Sequence, residues 1–238
     1  MVIVRLVTLH GWLRPVRVAS SSMAPFLLNR HYALRCDDCF APLTADVATH
    51  RVGSLVTCFN CGYRRNRVLR RHARPGERVW IDALPMWWRA PRRWEVVALR
   101  TRNGRYVTKR VLARPGETLA FVDGDVWIDG KIARKSYAEF CQQRLLVHDS
   151  DYLPSFRGSP RRWHAVPSRA WERWGSGWRS TERHRGTDRD AWLEYHHLSN
   201  FSDARPPRDR EDEMPVYDVV GYNGDRARAP LHAVPDLV

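Results

Sequence analysis

Long apolar runs are missing from this chain. A helix needs about 20 consecutive apolar residues to cross a bilayer, whereas the opening Val2-Ile3-Val4 is interrupted by Arg5 and His10. That excludes a complete transmembrane span in the first dozen residues. The same stretch lacks the apolar centre and small-residue cleavage site of a signal peptide. Acidic side chains are outnumbered: 26 Asp and Glu face 40 Lys and Arg, a net charge of +14. Such a balance attracts nucleic acid or anionic lipid headgroups. The arginines are spread through loops, which makes solvated surface the preferred account of most of this charge. Residues 135–200 show no sustained period of 2 or 3.6, which excludes a long amphipathic helix there. Cysteine is sparse at five residues, and Cys141 has no partner in the pattern formed by the other four.

What is present is strand and turn. The 238 residues suit one domain of ordinary size or a domain with an insertion. Across residues 94–134, Asn103-Gly104, Asp123-Gly124 and Asp129-Gly130 are each flanked by β-branched or aromatic residues, the strongest short-range hairpin signal. An antiparallel meander is expected, with a strand over 95–99 returning over 105–113. Alternation sends Tyr106, Thr108 and Arg110 to one face and Val107, Lys109 and Val111 to the other. A lysine among aliphatics is costly to charge, and a neutral amine is what a general base requires. The competing account places Lys109 on a solvated face or edge.

Between residues 33 and 74 stand Cys36-Asp37-Asp38-Cys39 and Cys58-Phe59-Asn60-Cys61. This is zinc-ribbon spacing: each pair makes one turn, and two turns complete a tetrahedron of thiolates around a structural zinc. Two disulfides are the alternative, disfavoured because a Cys-x-x-Cys bridge closes a small strained loop. Arg64-Arg65-Asn66-Arg67 and Arg70-Arg71-His72 follow, a basic edge that a nucleic-acid-reading ribbon would carry. Bracing a long loop, or binding a protein, are the other roles for it, and bracing is preferred. Leu84-Pro85-Met86-Trp87-Trp88-Arg89 has the chemistry of an interfacial membrane anchor, or of tryptophans buried under a loop. Residues 136–213 are expected to form an irregular Trp/Arg-rich insertion, with short helices over 137–146 and 188–196 and a charged linker over 203–213. A last strand is expected over 215–223.

Ser20-Ser21-Ser22-Met23-Ala24-Pro25 means little alone, since serines before a proline usually make a loop. Read with Lys109-Arg110-Val111 and the following Pro115-Gly116-Glu117, it resembles type I signal peptidase, a membrane-bound Ser/Lys protease with a mainly-β catalytic domain. The blocks Pro75-Gly76-Glu77-Arg78-Val79-Trp80-Ile81-Asp82 and Asp123-Gly124-Asp125-Val126-Trp127-Ile128-Asp129-Gly130 agree in order and spacing. The resemblance implies Ser22 as nucleophile, Lys109 as general base, and the Ser20 hydroxyl as oxyanion support beside the Ser22 N–H. It also implies signal peptides of exported preproteins as substrates, a membrane surface as a partner, and a catalytic domain on the exoplasmic side of the cell membrane. Departures are Ala19 for Pro, Ser21 for Gly and Phe26 for Thr, none of which removes a reacting group. The family's closing Gly-Asp-Asn and Ser-x-Asp-Ser-Arg segment has no counterpart; Asn223-Gly224-Asp225-Arg226 carries only its Gly-Asp.

The expected organisation is an anchor remnant with the nucleophile strand (1–32), a ribbon insertion (33–74), a β catalytic core (75–135), the Trp/Arg-rich insertion with its linker (136–213), and an incomplete C-terminal β segment (214–238). The chain is expected to begin inside the last turns of an anchoring helix and to stop before the fold closes. A buried first strand or helix of a soluble protein is the other reading of its start. The rival function is a zinc-ribbon module that binds nucleic acid or protein, with a protease-like β-domain that no longer cleaves.

Overall fold

A computed structural model describes residues 12–155, 161–181, 191–197 and Val216. The linker expected over 203–213 and all but Val216 of the strand expected over 215–223 lie outside these residues. Turn chemistry sets the hairpins. At Asp123-Gly124 and Asp129-Gly130 both turn residues have positive φ, 50° and 87° in the first pair and 50° and 76° in the second. Two-residue hairpins with the twist of the flanking strands demand that geometry, and Asp-Gly supplies it at little cost. They join β10 (Leu119–Val122), β11 (Asp125–Ile128) and β12 (Lys131–Ile132) into a three-stranded antiparallel sheet. The third turn is closed by Gly104 N–H donating to Thr101 O at 2.9 Å and Thr101 N–H donating to Arg105 O at 2.8 Å. It pairs β8 (Val96–Arg100) with β9 (Tyr106–Arg110), Lys109 lying opposite Val97. The expected single meander is therefore two separate sheets.

β1 (Leu13–Arg17) pairs with β7 (Arg78–Asp82) across the ribbon. This ladder brings residues 20–28 back beside 76–77: Val18 N–H donates to Glu77 O and Glu77 N–H donates to Leu28 O, both at 2.9 Å. In the ribbon, β2 (His31–Arg35) lies between β3 (Pro42–Asp46) and β6 (Ala73–Arg74), and β4 (Leu55–Val56) pairs with β5 (Asn66–Arg67). The best-buried cluster of the described residues sits here: Tyr32, Leu34, Leu43, Ala45, Val56 and Val68 around the cysteines.

Downstream, the short helix α1 (Tyr137–Cys141) is capped by Ser136, whose hydroxyl accepts from Glu139 N–H while Glu139 accepts from Ser136 N–H. It is shorter than the expected 137–146. The second expected helix, over 188–196, is corrected. Among the described residues of that range, Trp192–Tyr195 is strand β16, paired with β13 (Trp163–Val166). Tertiary pairing decides the conformation of a short aromatic and β-branched segment more than its local composition does. β14 (Trp171–Trp174) and β15 (Gly177–Ser180) form a further hairpin. The fold is mainly antiparallel β with very little helix, and no described helix is long and apolar enough to cross a membrane.

Candidate functional site

The two Cys-x-x-Cys turns repeat one another. Cys36 N–H donates to Ala41 O and Cys58 N–H to Tyr63 O, each five residues on. Phe40 N–H donates back to Cys36 O, and Gly62 N–H to Cys58 O. The fourth residue after each leading cysteine is left-handed, Phe40 at φ 63° and Gly62 at φ 80°. Each turn aims two thiols inward, so the Sγ atoms of Cys36, Cys39, Cys58 and Cys61 all lie within 4.8 Å of one another. Cys36 and Cys61 are 3.6 Å apart and Cys39 and Cys58 3.7 Å. A disulfide needs about 2.05 Å, and all four thiols are free. Tetrahedral zinc with Zn–S near 2.3 Å sets the sulfurs about 3.8 Å apart. Hydrogen bonds from Cys39, Cys58 and Cys61 hold Cys36 far below the ordinary thiol range. That first negative charge drives Cys61 and Cys58 upward. The four thiols are close enough to hold one divalent cation, which would let them share this space as thiolates.

Three residues that sequence reasoning passed over hold the cluster. Asn66, placed above in a basic run, is fully buried. Its Nδ2 donates to Val56 O and Tyr63 O, and its Oδ1 accepts from Asp37 N–H, tying one cysteine turn to the other. Asn60, between the second pair of cysteines, donates to Tyr152 O at 2.7 Å and accepts from Asp149 N–H at 2.7 Å. Asp38, between the first pair, accepts from Ser155 N–H at 3.1 Å through Oδ1, and its backbone O accepts from the Ser155 hydroxyl at 2.9 Å. Both turns therefore grip residues 149–155. Asn60 and Asp38 show these roles only through partners far along the chain.

The serine segment leaves β1 and turns at once. Phe26 and Leu27 N–H both donate to Met23 O, and Ala24 N–H donates to Ser21 O. Met23 is buried, while Ser20 and Ser22 are exposed with their hydroxyls 3.5 Å apart. Ser22 thus stands in a turn after the strand rather than on it. β9 reaches this turn through Arg110, whose guanidinium lies 5.4 Å from the Phe26 ring centroid and donates to Trp94 O at 2.8 Å. On the same face, Tyr106 Oη accepts from Arg14 of β1 at 3.1 Å. Alternation turns Lys109 to the other face. The expected burial of Lys109 among Val107 and Val111 is corrected: Lys109 is exposed, while the two valines are half-buried. Among those residues its ammonium makes no hydrogen bond or ion pair. The structure brings the two serines together and the four cysteines together, and it sets β9 against the serine turn by way of Arg110.

Both Pro-Gly-Glu motifs act through their glutamates. Glu77 accepts from Leu28 N–H at 3.0 Å, fixing the far end of the serine turn. Glu117 accepts from Arg114 N–H at 2.7 Å and pairs with Arg93 and Arg114, so backbone donation first, then those cations, hold it below the usual carboxylate range. Beside the β1–β7 ladder, Trp12 meets Trp87 edge to face at 6.1 Å. Trp87 and Trp88 are 76% and 67% exposed, so they are not core residues.

The structure thus sets an exposed serine turn, fastened by the first Pro-Gly-Glu segment, on antiparallel β ladders that carry an inserted four-cysteine ribbon. The family described as signal peptidase, peptidase S26, matches residues 1–170, and the chain belongs to that family. No curated protein and no solved structure matches it.

Proposed function

We propose that this chain is a serine endopeptidase of the signal peptidase type, cutting signal peptides from exported preproteins at a membrane surface on the exoplasmic side. The observation that carries the reading is the family match over residues 1–170, which contains both the serine turn and the lysine strand. Ser22 Oγ attacks the scissile carbonyl while its proton passes to Lys109 Nζ, which acts as the general base. The tetrahedral oxyanion is held by Ser22 N–H and the Ser20 hydroxyl. Collapse gives an acyl-enzyme and expels the new amino terminus, which takes the proton back from Lys109. Water, deprotonated by the same lysine, then releases the signal peptide. The substrate adds as an extended strand beside the serine turn and β9.

The step needs Ser22 and Lys109 within about 3 Å, whereas Lys109 stands exposed on the face of β9 opposite Arg110. Cys36, Cys39, Cys58 and Cys61 would hold zinc in a purely structural role, leaving no open coordination position for catalysis. The exposed Trp87 and Trp88 would rest among lipid headgroups.

The test is hydrolysis of a preprotein segment ending in small residues. Ser22→Ala and Lys109→Ala should each abolish cleavage with metal content unchanged. Undiminished turnover in Ser22→Ala would overturn the assignment. The exposure of Lys109 favours a second reading, in which the β-domain no longer cleaves and the ribbon binds nucleic acid or a protein. Absent turnover together with nucleic-acid binding that falls steeply with salt is its signature.

A further inference from the structure

Arginines converge where the ribbon meets the β1–β7 ladder. Arg17, the last residue of β1, lies directly opposite Arg78 of β7, and like charges paired this way destabilise a sheet. Arg17, Arg30 and Arg74 line a cleft of about 700 Å³ whose other walls include Ala19 and Gly76. Carbonyl oxygens hold two of these guanidiniums in place. Arg17 Nη1 donates to Gly76 O at 3.1 Å, and Arg74 Nη1 donates to Arg71 O at 2.9 Å and to Ala73 O at 3.2 Å. A carbonyl positions a guanidinium without neutralising it, and most of its five N–H donors stay available. Among the described residues no ion pair includes Arg17, Arg30, Arg74 or Arg78. The adjacent carboxylate, Glu77, is engaged by Leu28 N–H. The local field registers on His72, pushed down first by burial and then by Arg71 and Arg74.

We propose that this cleft is a binding site for a phosphate-bearing ligand carrying at least two closely spaced negative charges. One planar carboxylate satisfies a single guanidinium fork. Three guanidiniums around one cleft match the many oxygens of a diphosphate or a phosphorylated headgroup.

Calorimetric titration of the metal-loaded chain with inorganic pyrophosphate should show saturable binding that weakens at least tenfold in Arg30→Gln/Arg74→Gln. Both side chains are exposed, so the fold should persist with unchanged metal content. Arg102→Gln/Arg105→Gln, with the same loss of charge at the exposed β8–β9 turn, should leave affinity unchanged. Flotation with phosphatidylcholine vesicles, with and without phosphatidylglycerol, separates the ligand's sources: binding to anionic vesicles displaced by pyrophosphate identifies a lipid headgroup, and pyrophosphate binding alone a soluble phosphate ester. Absence of binding to both probes overturns the proposal, as does equal weakening by the two double variants.

Discussion

A Cβ built on Gly76 would collide with the Val18 carbonyl oxygen and crowd the Asn29 backbone. That glycine is where β1's exit and the return from the serine turn press together, so its missing side chain is a packing requirement rather than a demand of its φ. Gly76→Ala should cost about 3 kcal/mol or more, seen as a lowered midpoint in thermal or denaturant unfolding. A variant as stable as the parent would show that residues 18 and 76 separate freely. At this scale the sequence was partly legible. Cysteine spacing identified all four members of the thiol cluster, because ligands of one metal must recur at turn intervals. Asn60, Asn66 and Asp38 were not legible, since an amide or carboxylate declares its role only through a partner. Asn60 finds its partners about 90 positions on, at Asp149 and Tyr152.

Elements were legible where the turn chemistry is local. The Asp-Gly pairs specify their hairpins within four residues, and β10 to β12 follow from them. Trp192–Tyr195 depends instead on β13, roughly 30 positions earlier, and a short segment carries no record of such a partner. The loop bearing Trp87 and Trp88 left two readings open that burial now separates. Replacing both tryptophans with Ser should weaken flotation with anionic vesicles while leaving the unfolding midpoint within about 0.5 kcal/mol of the parent's stability. Undiminished flotation would remove the membrane role. The β13–β16 pair should be the acid-sensitive element. His148 and His197 are each lowered to about 4, first by burial and next by the Arg162 guanidinium. The buried Nδ1 of His148 makes no hydrogen bond, so protonation would strand a charge there. Depressed histidine values mean the folded state prefers the neutral ring. Stability is therefore complete above the ordinary value near 6.5 and is lost as pH falls through about 4. Unfolding midpoints should drop across that window, and His148→Gln should flatten the drop.

Over the whole molecule, the densest described core lies in the segment that interrupts the peptidase motifs, and the serine and lysine ladders are thinner. One zinc per chain is expected by metal analysis, lost together with the ribbon's cooperative unfolding in Cys58→Ala; two disulfides and no metal would contradict it. Family membership was legible from ordered motifs, but which part would hold the core was not, because burial emerges from assembly. Asn60 carries this further, into time. The cysteine turn that holds its amide is complete once residue 63 is made, while the backbone it grips at 149–152 is synthesised some 90 residues later, seconds afterwards at ordinary translation rates. The early ribbon is then a finished template waiting for a late segment, and such long-range contacts are slow to close. A chain starved of metal while it is being made should thus misplace residues far downstream of any cysteine turn, and restoring metal after synthesis should recover the native pairing more slowly than supplying it from the start.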